Sequence, residues 1–203
     1  MSDQHQSVYI VDDDSAVRDS LSMLLKSVGI RSRAFASGDE FLEDFDPTWA
    51  GCILLDIRMP GVSGMEVQRR LKEQDCSLPI IFITGHGDIP MAVEAMHLGA
   101  SDFVQKPFHD QELLDRIQLA LNENREQQDE IALKRSAKER YATLTPRETE
   151  VMNAVVLGHA NKVIAMDLSL SQRTVEIHRA RVMEKMRVRS LADLVKLSVL
   201  LFS

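Results

Sequence analysis

The sequence predicts an α/β fold, a doubly wound parallel sheet of five strands, followed by a smaller all-α domain of four helices. Three observations lead there. Short apolar runs alternate with amphipathic stretches up to about residue 122, the pattern of a sheet whose crossovers are helices. Acidic, hydroxyl or lysine residues stand directly after four of those runs. From Leu144 onward the apolar period is helical throughout.

Taken in order, residues 8–11 form an apolar run that stops at Asp12, Asp13 and Asp14, a buried strand ending in an acidic loop. Ser15 is placed to cap a helix whose apolar residues Val17, Leu21, Leu24, Leu25 and Val28 fall on one face, closed by Gly29. Further strands are expected at 32–36, 52–55, 80–83 and 102–105, and helices around 38–44, 64–74, 90–98 and 111–122. Right-handed crossovers put the sites of such a sheet at the C-terminal ends of its strands. Asp12 and Asp13, then Asp56, then Thr84, then Lys106-Pro107 occupy those ends.

Residues 123–139 are almost wholly charged or polar and read as a linker, a helical extension of the segment before it. Beyond it, Thr145-Pro146-Arg147-Glu148 is a capping box with proline at the first helical position. That helix ends near Gly158, a second covers 161–168, and Ser171 caps a third that runs to about Arg187. A fourth opens at Ser190 or Leu191, with Leu191, Leu194, Val195, Leu197 and Val199 expected to pack. On the third helix Val175, His178, Val182 and Met186 share a buried stripe. His178 is expected to be a hydrogen-bonded core residue rather than a metal ligand. Arg173, Glu176, Ile177, Ala180, Arg181 and Glu184 face outward.

At 203 residues, 44% hydrophobic and 27% charged, the composition excludes a disordered tail, a fibre or a disulfide scaffold. Residues 1–122 carry 10 Lys+Arg against 20 Asp+Glu, a net of −10, whereas 144–203 carry 9 against 6, a net of +3. Such asymmetry points to two domains with different partners, the basic one suited to nucleic acid. Cys52 and Cys76 lie in apolar surroundings without metal-ligand spacing, and no apolar run is long enough to span a bilayer. A cytoplasmic protein with no membrane partner is expected.

Three carboxylates at one sheet edge repel one another unless a hard cation sits among them, and oxygen-ligated Mg²⁺ is the natural solution. In such a site a carboxylate can accept a phosphoryl group as an aspartyl phosphate, with Lys106 and the Thr84 hydroxyl suited to its oxygens. A flavin-type binder would want amides rather than three aspartates after the first strand. A haloacid-dehalogenase-type phosphatase would want a carboxylate at position 58, where Arg58 stands.

Val11-Asp12-Asp13, the run from Leu54 to Gly61, Thr84-Gly85-His86-Gly87 and Lys106-Pro107-Phe108 resemble the receiver domain of bacterial response regulators, a flavodoxin-like fold. The resemblance covers residues 5–122. It implies that Asp56 takes a phosphoryl group from a phosphohistidine on a sensor histidine kinase. It places Mg²⁺ among Asp12, Asp13, Asp56 and the carbonyl of Arg58, and phosphoryl oxygens on Thr84 and Lys106. It also implies a cis Lys106-Pro107 bond and a switch in which Thr84 moves inward and Phe103 follows. The fourth helix and fifth strand then become a homodimer face.

Residues 144–148, 158–165 and 171–178 resemble the four-helix helix-turn-helix of LuxR/NarL-type regulators, covering 140–203. That likeness puts Glu176, Ile177 and Ala180 at base-contacting positions on double-stranded promoter DNA, and Lys162, Arg173, Thr174 and Arg181 toward phosphates. The family often carries a cation where Glu176 stands; glutamate can accept from cytosine or pair with Arg173 or Arg179. The whole chain is most similar to FixJ-type response regulators. It is thus expected to be no enzyme beyond its own phosphoryl transfer, and to be a transcription regulator, usually an activator, with RNA polymerase as a further partner. The alternative expectation is a phosphoryl-handling signalling protein whose helical domain binds a protein rather than DNA.

Overall fold

The computed structural model describes residues 6–85 and 89–202. The chain divides into two compact units, residues 1–127 and 128–203. His86, Gly87 and Asp88, part of the motif after the fourth strand, lie outside the described residues.

In the first unit β1 (Ser7–Val11), α1 (Ser15–Ser27), β2 (Arg31–Phe35), α2 (Gly38–Asp44), β3 (Gly51–Asp56), α3 (Gly64–Glu73), β4 (Ile80–Thr84), α4 (Ile89–His97), β5 (Asp102–Gln105) and α5 (Asp110–Tyr141) alternate. The strands are all parallel in the order β2-β1-β3-β4-β5, so the sheet is doubly wound about β1. Alternate strand residues feed two cores. Tyr9, Val11, Ile53, Leu55 and Phe82 pack with Phe41, Val67, Leu71, Ala92 and Ala95 from α2, α3 and α4. Val8, Ile10, Cys52, Leu54, Ile81 and Ile83 pack with Leu21 and Leu25 of α1 and Leu113 and Ile117 of α5. Every residue of β3 is buried, which is why it reads as a continuous apolar run rather than an alternation. At its start Gly51 has φ +135°, and a Cβ there would lie 1.8 Å from the carbonyl oxygen of Ser7; only glycine lets β3 begin so close to β1.

In the second unit α6 (Pro146–Val156), α7 (Asn161–Asp167), α8 (Gln172–Met186) and α9 (Leu191–Phe202) surround Val151, Met152, Val155, Ile164, Val175, Val182, Met186 and Leu194. The capping box forms as expected: Glu148 N donates to Thr145 Oγ1 at 3.3 Å and Thr145 N donates to Glu148 at 2.8 Å.

Three local expectations are corrected, and the expected helical extension beyond residue 122 is present. The cap of α1 is Asp14, whose extended backbone lets its carboxylate accept from Ala16 N at 2.8 Å; Ser15 is already the first helical residue. Residues beyond 122 continue α5 without a break to Tyr141, since neither Gly nor Pro interrupts them. On α9, Leu194 is buried and Leu197 packs on the core, but Leu191 and Val199 are 43% and 64% exposed. His178 is half-buried in the α8 stripe, yet its buried Nδ1 has no hydrogen-bond partner.

Candidate functional site

The parallel register sets the site. Val11 pairs with Leu55, Asp56 with Ile83 and Thr84 with Gln105, so the chain leaves β1, β3, β4 and β5 at one edge and delivers Asp12, Asp56, Thr84 and Lys106 there. Asp12 is 1% exposed, Thr84 2% and Asp56 8%. The Lys106 ammonium donates to Asp12 Oδ2 at 2.7 Å and to Asp56 Oδ1 at 3.0 Å. Its backbone N–H donates to the Thr84 carbonyl at 2.7 Å, and the peptide bond to Pro107 is cis.

Each carboxylate is held on its other side by backbone. Asp12 Oδ1 accepts from Asp14 N at 2.9 Å, and Asp56 Oδ2 accepts from Arg58 N at 2.9 Å. Arg18 of α1 donates to the Asp12 carbonyl at 2.7 Å, a contact that no sequence period signals.

One ammonium thus faces two buried carboxylates. Burial raises the pKa of Asp56, and the Asp12 charge adds to it, against the lowering effect of the Lys106 hydrogen bond and charge. For Lys106, burial disfavours the ammonium, but its bonds to Asp12 and Asp56 outweigh this and raise its pKa. The donors that Asp12 and Asp56 offer here are carboxylate oxygens, the kind that suits a hard divalent cation. Among the described residues no three His, Cys, Asp or Glu side chains are grouped to hold a metal ion. Asp13 follows Asp12 but is exposed, and Arg58 is exposed with its N–H turned to Asp56. Phe103 lies on β5, partly buried, against the core that includes Ala92 and Ala95 of α4.

Two buried side chains of this unit escaped sequence reasoning. Asn124 on α5, 1% exposed, accepts from Gly51 N at 2.9 Å and donates to the Ser77 carbonyl at 3.3 Å, tying α5 to the start of β3. Gln68 on α3 donates to the Ala95 carbonyl of α4 at 3.0 Å. Both are polar residues in polar stretches, so only the three-dimensional packing marks them.

In the second unit Ser171 caps α8 through Thr174 N at 3.0 Å, and Thr174 Oγ1 lies 2.8 Å from Ser171 Oγ. Arg179 donates to Asn161 Oδ1 at 2.7 Å, fixing α8 against the start of α7. Lys185 donates to Glu148 at 2.6 Å and to the Thr143 carbonyl at 3.0 Å, fixing its other end. Along α8 Glu176, Ile177, Ala180 and Arg181 are exposed, as are Arg173 and, on α7, Lys162. Arg173 and Glu176 form an ion pair at 3.2 Å. A helix held at both ends with its cations and one isoleucine in solvent has the form of a groove-reading helix.

Fold and sites together define a class, the two-unit regulator in which a parallel α/β unit with a lysine-bridged acidic edge precedes a helix-turn-helix unit. The family described as response regulator receiver domain matches residues 8–118, and bacterial regulatory proteins of the luxR family match 142–198. The chain belongs to the response regulators with a LuxR-type C-terminal domain, and is a phosphorylation-dependent transcription regulator. It is 46% identical to the response regulator protein TodT of Pseudomonas putida over 98% of this chain and 87% of that protein. It is 43% identical to the transcriptional regulatory protein FixJ of Bradyrhizobium diazoefficiens over 95% of this chain and 94% of the other. The solved structure of the response regulator StyR is similar at a TM-score of 0.87 and 42% identity, covering 96% of this chain and 98% of that one. No helix among the described residues is long and apolar enough to cross a membrane.

Proposed function

We propose that Asp56 is the phosphoryl acceptor and that its modification controls DNA binding by α8. The observation that carries this reading is the Lys106 bridge to Asp12 and Asp56, which gathers an acceptor carboxylate and a cation at one buried sheet edge. The donor is a phosphohistidine of a sensor histidine kinase: the P–N bond breaks, an Asp56 Oδ–P bond forms, and the imidazole keeps the electron pair. The carboxylates of Asp12, Asp13 and Asp56 and the carbonyl of Arg58 are the groups that would hold Mg²⁺. When bound, the ion supplies neutralising charge for the phosphoryl oxygens. Lys106 turns from the carboxylates to one phosphoryl oxygen and the Thr84 hydroxyl donates to another.

The Thr84 movement makes room for Phe103, and the face of α4 and β5 becomes the surface on which two copies pair. Residues 5–122 act as the receiver, 123–139 as a helical linker and 140–203 as the DNA-binding domain. Paired copies place two α8 helices on half-sites about one DNA turn apart. Lys162, Arg173, Thr174 and Arg181 contact phosphates; Ile177 and Ala180 meet base edges. Glu176 stands among the base readers, where Arg173 competes for it. The protein acts in the cytoplasm as an activator with RNA polymerase, and its only chemistry is its own phosphoryl transfer.

The test is duplex affinity before and after treatment with acetyl phosphate and Mg²⁺, over a salt series. Tighter, strongly salt-dependent binding of the treated chain is expected, absent in Asp56→Asn; equal affinities for both forms would contradict the coupling.

A further inference from the structure

On α8 the fold leaves the hydrogen bonding of one imidazole incomplete. His178 is half-buried, and its Nδ1 is enclosed without a hydrogen-bond partner. Nε2 has no partner among the described residues either, but it is not enclosed. The ring thus enters the helical core by one edge and reaches the surface by the other. Nothing outside can meet Nδ1, so any further partner must meet Nε2.

Which nitrogen of the uncharged ring carries the proton follows from what each choice buries. A proton on Nδ1 would shut an N–H away from every acceptor. A proton on Nε2 leaves only a bare lone pair inside. An orphaned buried N–H is the rarer of the two in folded chains, so the ring presents one N–H donor outward, from Nε2.

Residues three and four apart are neighbours on a helix surface. Around His178 these are Val175 and Val182, both buried, on one side, and Thr174 and the exposed Arg181 on the other. At about 100° per residue His178 stands roughly 60° from Val175 and roughly 60° from Arg181, at the border between core and solvent. Thr174 and Arg181 are two of the side chains read above as phosphate contacts. Two nearby cations are engaged within the fold, Arg179 with Asn161 and Lys185 with Glu148. The Nε2 donor of His178 has no such engagement.

We propose that His178 Nε2 donates to a phosphate oxygen of the DNA strand that Thr174 and Arg181 contact, as a neutral positioning contact that fixes the rotation of α8 in the groove. The proposal rests on the reading of α8 as the DNA-binding helix and adds a residue to it. Because the inner edge of the ring is packed in the core, the donor is already aimed before DNA arrives, unlike a long cationic side chain. Phosphate contacts carry no base information, so the contact acts on every sequence. An uncharged donor neutralises no phosphate, so it adds affinity without adding to the salt slope.

The test uses the full chain treated with acetyl phosphate and Mg²⁺ and a mixed-sequence duplex, titrated over a salt series. His178→Gln puts an amide N–H near the place of Nε2, whereas His178→Asn reaches only as far as Nδ1. The asparagine variant is expected to bind about tenfold or more weakly, and the glutamine variant within about threefold of wild type. Both should keep the wild-type salt slope. In the wild-type chain, side-chain ¹⁵N spectra should show the proton on Nε2, with that resonance shifting when duplex is added; this reading stands even where a variant folds poorly. Wild-type affinity in His178→Asn, or equal losses in both variants, overturns the donor contact. A salt slope reduced by about 1 overturns its neutrality, and a proton found on Nδ1 overturns the tautomer. A wild-type chain that binds no duplex overturns the reading of α8 itself, and the contact with it.

Discussion

A Cβ on Gly64 would stand 2.2 Å from the carbonyl oxygen of Asp56. The loop after β3 therefore folds back onto the acceptor residue so closely that α3 can begin only with glycine, and Gly64 N–H donates to the Ile57 carbonyl at 3.1 Å. Because the obstructing atom is backbone, Gly64→Ala must displace either α3 or the end of β3. A loss of about 1–3 kcal/mol or more in urea unfolding is expected, with slower acetyl phosphate labelling of what remains folded. Wild-type stability in that variant would show that the loop yields freely.

The Lys106 ammonium bridges two buried carboxylates, so Lys106→Met leaves like charges facing each other across the edge. A loss of about 2 kcal/mol or more at neutral pH in chelator is expected, below the full value for a buried pair because Lys106 keeps some solvent. Asp56 already has a raised pKa from burial, and losing the cation raises it further. A group whose folded pKa is raised binds its proton more readily folded than unfolded, so the variant's deficit shrinks as pH falls toward that pKa. A deficit independent of pH between neutrality and mild acid would contradict the electrostatic account.

The paired edge was legible because Asp12, Asp56 and Thr84 each directly follow an apolar run and Lys106 follows a shorter strand signal, and a parallel sheet brings such positions together. What sequence could not show depends on choices among neighbours. Asp14 and Ser15 are both good caps, and only the backbone at 14 decides between them. Leu191 and Val199 fit a helical period, but α9 has more apolar residues than its neighbours can cover. Asn124 and Gln68 act through partners 73 and 27 residues away, beyond the reach of any local pattern.

Glu148 serves two ends at once, accepting from Thr145 N in the capping box and from the Lys185 ammonium. The Lys185 hydrogen bond, with help from Thr145 N, holds its pKa down to about 2 from 4.5. A depressed carboxylate contributes stability that is present above its unfolded value and lost as pH falls through the folded one. Protection of the α6 and α8 amides is therefore expected to decline between about pH 5 and pH 2. Glu148→Gln should lower it by about 1–2 kcal/mol at neutral pH, from the lost charge-assisted bonds, and flatten the acid dependence. A variant with the wild-type acid profile would place the titration elsewhere.

Lys162 and Arg181 are exposed cations beside the α8 surface, whereas Ile177 is an exposed apolar side chain on it. Lys162→Ala and Arg181→Ala should weaken all duplexes alike and each reduce the salt slope by about 1. Ile177→Ala should leave the slope intact and alter the preferred sequence. The same salt slope in all three variants would remove the division between phosphate and base contacts.

The most direct test maps the phosphoryl group itself. The full chain is incubated with acetyl phosphate and Mg²⁺, reduced with borohydride to trap the acyl phosphate, and digested for mass analysis. A single reduced aspartate at position 56, absent in Asp56→Asn, is the expected result; trapping at another residue, or undiminished phosphoryl uptake by that variant, would contradict the account.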